Sequence, residues 1–392
     1  MTARPDVAVV GRGLMGTACA RHLAEAGHTV FLIGPDEPEN PSRFDGPFAS
    51  HHDAGRITRG LAEKADWSRL ALRSIDRYAM LEEALGESFY SPCGVMMAGP
   101  LNGPGAEFTR GFLGAAKRLA LPHERIDGDA LDARFPYFRF PADTVAAWEA
   151  LGGWIDPRAL RRAEEVCATR AGATVIRDTA AGLAGDTLTL GSGDIVTAGH
   201  VVMATGGYAR TSGLLPARPA MAVYARTVVL AELDPQQAAR LGGMPSLIAM
   251  PEGGRMDDDV YLLPPIRYPD GRTYLKIGGE PVSPRLETDA EMTAWFQSAG
   301  SAAAGEMLSA QLSVLMPGLH PRHLHCAACV VSFTETGYPY IERLTDRLTI
   351  LTGGNGAAAK SCDEIGRLGA IAATGGDLSA EGYDTDFRAV FA

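Results

Sequence analysis

A glycine-rich turn between a short apolar run and a helical pattern constrains this chain more than any other feature. The apolar run is Val7–Val10, and the glycine-rich segment Gly-Arg-Gly-Leu-Met-Gly follows it directly at residues 11–16. Apolar residues then recur at helical spacing up to Gly27, and residues 29–33 form a second, partly β-branched apolar run. The first 33 residues therefore predict a βαβ unit with parallel strands.

The pattern G-x-G-x-x-G in this context is typical of dinucleotide binding. Gly11 permits a tight turn, Gly13 lets the backbone approach a pyrophosphate, and Gly16 allows the helix to pack closely on the strand. The helix N-terminus adds N–H donors and a positive dipole. An acidic residue usually ends the second strand and binds the ribose, but Gly34 stands there. Asp36, in the following loop, is the candidate replacement; the alternative is that the contact is absent.

Length, charge and cysteine content exclude several classes of protein. The 392 residues predict two domains or one composite α/β unit. A net charge of −11 argues against nucleic-acid binding, and no apolar run is long enough for a membrane span. The six scattered cysteines and the absence of a signal-like start predict a cytoplasmic protein with mostly free thiols. A monomer or a small homo-oligomer is expected.

The pattern along the chain predicts a fold that combines α/β and α+β parts. A Rossmann-like domain is expected at both ends of the chain, because Leu348–Thr352 is strand-like, residues 353–356 form a glycine turn, and residues 357–374 are helix-like. Short β-like segments in the middle predict a mainly antiparallel substrate domain. We assign residues 1–86, 155–216 and 320–392 to the Rossmann-like domain, and residues 87–154 and 217–319 to the substrate domain.

Four cationic side chains are candidates for an anion site. Arg56 and Arg59, three residues apart, share one face if their segment is helical, and two guanidinium groups on one side suit a carboxylate or an anionic cofactor ring. The alternative is a solvated basic patch. Lys276 lies on the polar face of a predicted strand, which is an ordinary place for a lysine. Lys360 follows the second glycine turn, near a helix N-terminus, where a cation opposes the helix dipole and suggests a ligand.

A cluster of histidines and cysteines has the composition of a metal site but not its spacing. In a single strand Cys326 and Cys329 face opposite sides, and Cys329 lies about 13 Å from His325. Zinc and a thioredoxin-like dithiol are therefore disfavoured, buried structural thiols are an alternative, and no metal is expected.

Four segments in order resemble the monomeric sarcosine oxidase and N-methyltryptophan oxidase group of FAD-dependent amine oxidases, within the D-amino-acid-oxidase-like superfamily. They are residues 11–16, residues 50–59, residues 275–278, and Cys329 with residues 353–360. The resemblance covers nearly the whole chain. Residues 204–207 also look like a strand end and glycine turn that approaches FAD in such enzymes.

This resemblance implies roles for individual residues. Cys329 would bond covalently to FAD, and Lys276 would lie over the flavin near N5 and assist the reaction with oxygen. Arg56 would lie beside it, while Arg59 and Lys360 would hold the substrate carboxylate. The predicted cofactor-binding residues are Gly11, Gly13, Leu14, Met15, Gly16, Asp36, Ser50, His52, Arg56, Thr205, Gly206, Cys329, Gly353, Gly354, Gly356 and Lys360.

The substrate pocket departs from the family pattern. Val331 replaces an aromatic residue and Glu280 replaces a histidine, whereas Tyr261 retains a pocket tyrosine. Glu280 either attracts an extra ammonium group on the substrate or is exposed. Among the catalytic candidates we therefore include Tyr261 and Glu280 with Lys276, Arg56, Arg59 and Lys360.

The resemblance implies an FAD-dependent oxidase of a secondary amine or of an N-alkyl or cyclic amino acid. Its partners would be that small molecule and O2, which becomes H2O2, with no nucleic acid and no membrane. Three alternatives remain: a flavin-dependent amine dehydrogenase with another electron acceptor, an NAD(P)-dependent reductase suggested by the first glycine motif alone, and a non-catalytic flavin-binding or partner-binding protein.

Overall fold

The computed structural model describes residues 4–254, 258–279 and 283–392. Within these ranges the strands are β1 (Val7–Val10), β2 (Val30–Ile33), β3 (Arg56–Thr58), β4 (Tyr90–Ser91), β5 (Val95–Pro100), β6 (Glu124–Asp127), β7 (Thr144–Glu149), β8 (Gly153–Ile155), β9 (Thr174–Ile176), β10 (Ala180–Ala184), β11 (Thr187–Leu190), β12 (Ile195–Thr197), β13 (His200–Met203), β14 (Met221–Glu232), β15 (Ser246–Ala249), β16 (Val260–Arg267), β17 (Thr273–Gly278), β18 (His323–Thr334), β19 (Tyr340–Thr345) and β20 (Leu348–Thr352). The α-helices are α1 (Leu14–Glu25), α2 (Ala65–Ile75), α3 (Tyr78–Leu85), α4 (Ala106–Arg118), α5 (Asp129–Arg134), α6 (Pro157–Arg170), α7 (Tyr208–Thr211), α8 (Pro235–Arg240), α9 (Asp289–Phe296), α10 (Ala302–Leu315) and α11 (Cys362–Ala373).

A six-stranded sheet in the order β19-β20-β13-β1-β2-β9 forms the Rossmann-like part. All neighbours are parallel except β19 and β20, so the predicted βαβ unit is confirmed. Val10 pairs with both Ile33 and Met203, and Met203 pairs with Ile350. Four strands therefore end at the same edge of the sheet, which is where parallel α/β sheets bind ligands.

The central strand β1 is apolar throughout because both faces of the sheet are covered. Val7 and Val9 pack with residues of α1 and α11, whereas Ala8 and Val10 pack with Leu188 of the three-stranded sheet β10-β11-β12. A strand that is buried on both sides reads as a continuous apolar run rather than as an alternating one.

A second, eight-stranded sheet has the order β18-β14-β17-β16-β15-β5-β7-β6. Every neighbouring pair in it is antiparallel except β15 and β5. The prediction of a mainly antiparallel sheet in the middle of the chain is confirmed. Leu308, Leu312 and Leu315 of α10 pack in the same apolar core as the inner face of this sheet.

One domain boundary differs from the prediction. Residues 320–392 were expected in the Rossmann-like domain, but β18 pairs with β14 along twelve residues, from His323 opposite Glu232 to Thr334 opposite Met221. This long antiparallel register places β18 in the eight-stranded sheet. The return to the six-stranded sheet begins only at β19.

Helices α2 and α3 follow each other closely, with Asp76 and Arg77 between them. Two helix predictions change in detail. Arg56 begins strand β3, so the helical alternative for its segment is wrong: β3 pairs with β8 instead. The last α-helix begins at Cys362, and Lys360 lies in a short 3₁₀ turn before it.

Glycine permits a close contact between helices α1 and α11 of the Rossmann-like part. A Cβ atom added to Gly366 of α11 would lie 2.5 Å from Cβ of Ala18 and 2.6 Å from the backbone nitrogen of Cys19, both on α1. Backbone atoms cannot move away from such a contact without moving the helix, so the two helices approach closely only because residue 366 has no side chain.

We expect Gly366→Ala to lower the free energy of unfolding by about 1–3 kcal/mol, because the added methyl group overpacks the helix contact. Gly114→Ala is the matched control: Gly114 also lies within a helix, α4, but an added Cβ meets nothing within 4 Å. The control variant should be stabilised by about 0.5–1 kcal/mol through higher helix propensity. Urea unfolding of the two variants measures both effects, and equal shifts would contradict the packing argument.

Candidate active site

A cavity of about 1480 Å³ lies at the edge of the six-stranded sheet where its parallel strands end. Its size exceeds that of a typical drug-sized pocket, about 300–1000 Å³, and gives room for a dinucleotide together with a substrate. All of the predicted cofactor-binding residues except Gly16 line it. Gly16 instead packs against the carbonyl group of Gly11, where an added Cβ would collide.

Three glycine turns form much of the cavity floor. Gly11 follows β1 with φ of 114°, Gly206 follows β13 with φ of 56°, and Gly353 follows β20 with φ of 88°. These left-handed conformations favour glycine. Gly13 is different, because a Cβ added there meets nothing within 4 Å. Its backbone therefore faces open space in the cavity, as the approach of a pyrophosphate requires.

Two polar groups in the cavity wall fit a bound dinucleotide. The hydroxyl oxygen of Thr205 and Nδ1 of His51 are buried and have no hydrogen-bond partner within the described ranges. Both residues line the cavity. An unsatisfied buried polar group costs about 1–3 kcal/mol, so a ligand with polar atoms at these positions would be favoured. The site thus fits FAD, the cofactor that the sequence resemblance implies.

Half-buried Arg59 and buried Lys360 place two cations in the same cavity wall. Lys360 is 3% exposed, and its Nζ donates to the carbonyl oxygen of Trp67 at 3.3 Å. Burial lowers the pKa of Lys360, and the charge of Arg59 lowers it further. Burial also lowers the pKa of Arg59, and its Nε has no hydrogen-bond partner among the described residues. Such a pair suits a carboxylate ligand.

Glu149 holds the chain next to these cations. This buried carboxylate, at the end of β7, accepts hydrogen bonds from the backbone nitrogens of Gly60 at 2.7 Å and Leu61 at 2.9 Å. Its negative charge opposes the lowering of the pKa at both Arg59 and Lys360. Sequence reasoning missed Glu149, because no local pattern distinguishes it from other carboxylates.

Arg56, Cys329 and Tyr261 also line the cavity. Nη2 of Arg56 lies 3.7 Å from Sγ of Cys329 and donates to the carbonyl oxygen of Ser50 at 2.9 Å. Burial raises the pKa of Tyr261 to about 12, so its phenol is neutral at physiological pH. The arrangement combines a fixed cation, a thiol and a neutral hydrogen-bond donor on one side of the cavity.

Lys276 lies behind this wall rather than in it. The side chain is 1% exposed and does not belong to the described lining. Its Nζ donates to Oδ2 of Asp53 at 2.7 Å and to the carbonyl oxygen of Gly55 at 2.5 Å. Oδ2 of Asp53 also forms an ion pair with Arg56. Burial lowers the pKa of Lys276, and the charge of Arg56 lowers it further. The ion pair with the Asp53 carboxylate favours the charged form.

The remaining predicted residues have two different outcomes. Asp36 lines the cavity, but its Oδ1 accepts a hydrogen bond from Arg12 at 2.5 Å. Glu280 lies outside the described residues, so its predicted role in substrate selection stays a prediction.

Asp53 had no predicted role, although it lies within the 50–59 motif. Its partner Lys276 is 223 residues away in the sequence, and no local pattern links the two.

A family model named DAO and described as FAD dependent oxidoreductase matches residues 6–370. This match spans most of the chain, which therefore belongs to that family of FAD-dependent oxidoreductases. The match supports the sequence resemblance to sarcosine oxidases and the prediction of FAD. The first glycine motif therefore no longer favours the alternative of an NAD(P)-dependent reductase. No described helix has the length and apolar character that crossing a membrane requires.

Individual relatives are similar over shorter stretches. Monomeric sarcosine oxidase from Streptomyces avermitilis is 34% identical over 169 residues, which are 43% of this chain and 42% of that protein. N-methyl-L-tryptophan oxidase from Yersinia pestis is 27% identical over 151 residues, 38% of each chain. The chain thus matches less than half the length of these curated relatives.

Two solved structures share the fold over nearly the whole chain. The open form of NikD, an amino acid oxidase essential for nikkomycin biosynthesis, has a TM-score of 0.77 and 21% sequence identity, covering 100% of this chain and 99% of NikD. Glycine oxidase from Geobacillus kaustophilus has a TM-score of 0.73 and 17% identity, covering 99% of each chain. At such identities the likeness establishes the fold alone.

We expect Asp53→Asn to lower the free energy of unfolding by about 3–5 kcal/mol, because it leaves buried Lys276 without its counter-ion. Tyr268→Phe is the matched control, since the Tyr268 hydroxyl donates to the other Asp53 oxygen at 3.1 Å. Loss of this single hydrogen bond to the carboxylate should cost about 1.5–3 kcal/mol and leaves the Asp53 charge in place beside Lys276. Urea unfolding measures both, and a smaller effect for Asp53→Asn than for the control would show that the ion pair is unimportant.

Proposed function

We propose that this protein is an FAD-dependent oxidase of a secondary amine that carries a carboxylate, such as an N-alkyl or cyclic amino acid. Bound FAD would supply the electron acceptor: the hydride from the carbon next to nitrogen and the proton lost from nitrogen would be transferred overall to O2, giving H2O2. The oxidised substrate is an imine, and water hydrolyses it to a carbonyl compound and an amine.

The pairing of half-buried Arg59 with buried Lys360 in one cavity wall is the observation that carries this proposal. Two cations close together and largely shielded from water are costly unless an anion binds between them. A substrate carboxylate satisfies both, and its binding fixes which carbon faces the cofactor. Glu149 keeps the backbone after Arg59 in place, so the cation is positioned before the substrate enters.

Arg56 and Tyr261 would act at the opposite side of the substrate. The guanidinium group of Arg56 lies next to Cys329, where it places a fixed positive charge at the cofactor end of the cavity. Tyr261 remains protonated at neutral pH and so donates a hydrogen bond to the substrate or to the departing product. Lys276 and Arg56 share the Asp53 carboxylate, so two cations face one negative charge and the group keeps a net positive charge beside the cavity.

One observation favours a second candidate, a dehydrogenase that passes electrons to a carrier instead of O2. The family resemblance assigns the oxygen reaction to Lys276, but its ammonium group is bonded to Asp53 and to the carbonyl group of Gly55. Anaerobic mixing with a panel of N-alkyl and cyclic amino acids tests the shared part of both proposals, since a substrate must bleach the yellow flavin. The peroxide formed per turnover in air then separates them: one equivalent supports the oxidase and none supports the dehydrogenase.

The affinity for a carboxylate ligand should fall as pH rises into the alkaline range. The pKa of Lys360 is lowered by burial, so this side chain loses its proton below the usual lysine value of about 10.4, and the anion loses one of its two cations. We expect acetate, monitored through flavin absorbance, to bind more weakly at higher pH in the native protein. Lys360→Met should bind acetate at least tenfold more weakly at neutral pH and lose this pH dependence. An unchanged pH profile in Lys360→Met would contradict the role.

The proposed covalent bond between FAD and Cys329 has a control on the same strand. Cys329 lines the cavity, whereas Cys326, three residues earlier, packs against α10, where its Sγ would meet a side chain at Gly305. After acid precipitation we expect the yellow colour to stay with the native protein and with Cys326→Ser, and to be released from Cys329→Ser. Release from all three would show that the flavin is not covalently attached.

A further inference from the structure

The end of strand β2 has no room for the acidic residue that commonly binds the adenosine ribose. A Cβ atom added to Gly34 would lie 2.5 Å from Cβ of Arg12 and 2.7 Å from the backbone nitrogen of Arg12. Real Cβ atoms do not approach a backbone nitrogen so closely. Arg12, the second residue of the glycine motif, therefore excludes any side chain at residue 34, and a ribose acceptor has to come from another position.

Arg12 is held rigidly at this end of the cavity. Its side chain lines the cavity yet is 7% exposed. Nε and Nη2 donate to the two carboxylate oxygens of Glu165 on α6, at 2.5 and 2.9 Å. Nη1 donates to Oδ1 of Asp36 at 2.5 Å and to the carbonyl oxygen of Pro35 at 3.3 Å. A planar guanidinium group with contacts on both sides fixes the loop after β2 relative to α6.

Asp36 retains the capacity to accept hydrogen bonds from a ligand. The hydrogen bond from Arg12 lowers the pKa of Asp36, so the carboxylate is ionised and acts only as an acceptor. Its side chain lines the cavity and is 58% exposed. Arg12 contacts one oxygen, and Nε of Arg177 lies 3.2 Å from the other. A carboxylate has about four acceptor positions, so positions remain for two hydroxyl donors.

We propose that Asp36 accepts the hydrogen bonds of the adenosine ribose hydroxyls of FAD and that Arg12, anchored on Glu165, positions it. The pair would replace the acidic residue that Arg12 excludes from position 34. This inference rests on the FAD binding that underlies the proposed function. It makes Asp36 a binding residue and Arg12 a positioning residue for the cofactor.

The test compares FAD with an analogue that lacks the 2′- and 3′-hydroxyls of the adenosine ribose. Cys329→Ser serves as the background, so that both flavins bind reversibly, and flavin release on dilution of the holoprotein gives the dissociation constant by fluorescence. With Asp36 present, FAD should bind at least tenfold more tightly than the analogue, the size expected for hydrogen bonds to a charged group. Asp36→Ala should weaken FAD binding about tenfold and bind the two flavins within twofold of each other.

Arg12 and Arg177 form a matched pair for the positioning role. Both contact the Asp36 carboxylate, but only Arg12 reaches Glu165 and lines the cavity. Arg12→Ala should reduce the preference for FAD over the analogue to less than threefold, whereas Arg177→Ala should keep it. Glu165→Gln, which leaves the Arg12 side chain in place, should reduce the preference partly. The ratio of the dissociation constants of the analogue and FAD is informative, because a general loss of protein stability would weaken the binding of both flavins equally.

Two results would overturn this inference. One is equal binding of FAD and the analogue when Asp36 is present, and the other is an undiminished preference in Asp36→Ala. In either case FAD still binds, and the proposed function is unaffected. Failure of the Cys329→Ser protein and of the native protein to bind any flavin would instead remove the proposed function together with the inference.

Discussion

The close approach of three backbone segments at the end of β1 determines the form of the site. Gly11 lies against the carbonyl group of Ala204, and Gly16 lies against the carbonyl group of Gly11, in positions where a Cβ atom would collide. Helix α1 can therefore begin directly at the edge of the sheet, with Gly13 facing the cavity. Because backbone rather than side chains forms this floor, its N–H groups are available to a phosphate, and the helix dipole points in the same direction.

The buried cations show two ways in which the fold handles charge removed from water. Lys276 has its counter-ion within the protein, the Asp53 carboxylate, so its charge is balanced with or without a ligand. Nζ of Lys360 donates to the carbonyl oxygen of Trp67, and the negative charges near Arg59 belong to Glu63, Glu149 and Asp259. A charge that is balanced within the protein contributes to the stability of the fold and to the electrostatic potential of the site. A cationic side chain that faces a cavity and has a lowered pKa is typical of a ligand-binding site.

Predictions from the sequence were right where a pattern of a few neighbouring residues indicates the structure. They missed features in which the structure pairs residues that are far apart in the sequence. Local patterns of a few residues predicted the Rossmann-like part and the resemblance to the family. These patterns are the glycine motif, the apolar run before it and the turn at residues 353–356. Three other features join residues that are far apart in sequence. They are the ion pair of Lys276 with Asp53, the register of β18 on β14, and the contact of Glu149 with the segment after Arg59. Nothing in a local pattern specifies such pairs, because each member is an ordinary residue in its own neighbourhood.

The cavity depends on a direct connection between the two sheets. Asn355, in the glycine turn after β20, donates its backbone N–H to the carbonyl oxygen of Ser332 at 2.8 Å, and its side-chain oxygen accepts from the backbone nitrogen of Thr334 at 2.9 Å. Both partners lie on β18, the strand that carries Cys329. The turn of the six-stranded sheet is thus fixed to the edge of the eight-stranded sheet. The same turn leads into the segment that carries Lys360, so the connection holds Lys360 and Cys329 at one cavity.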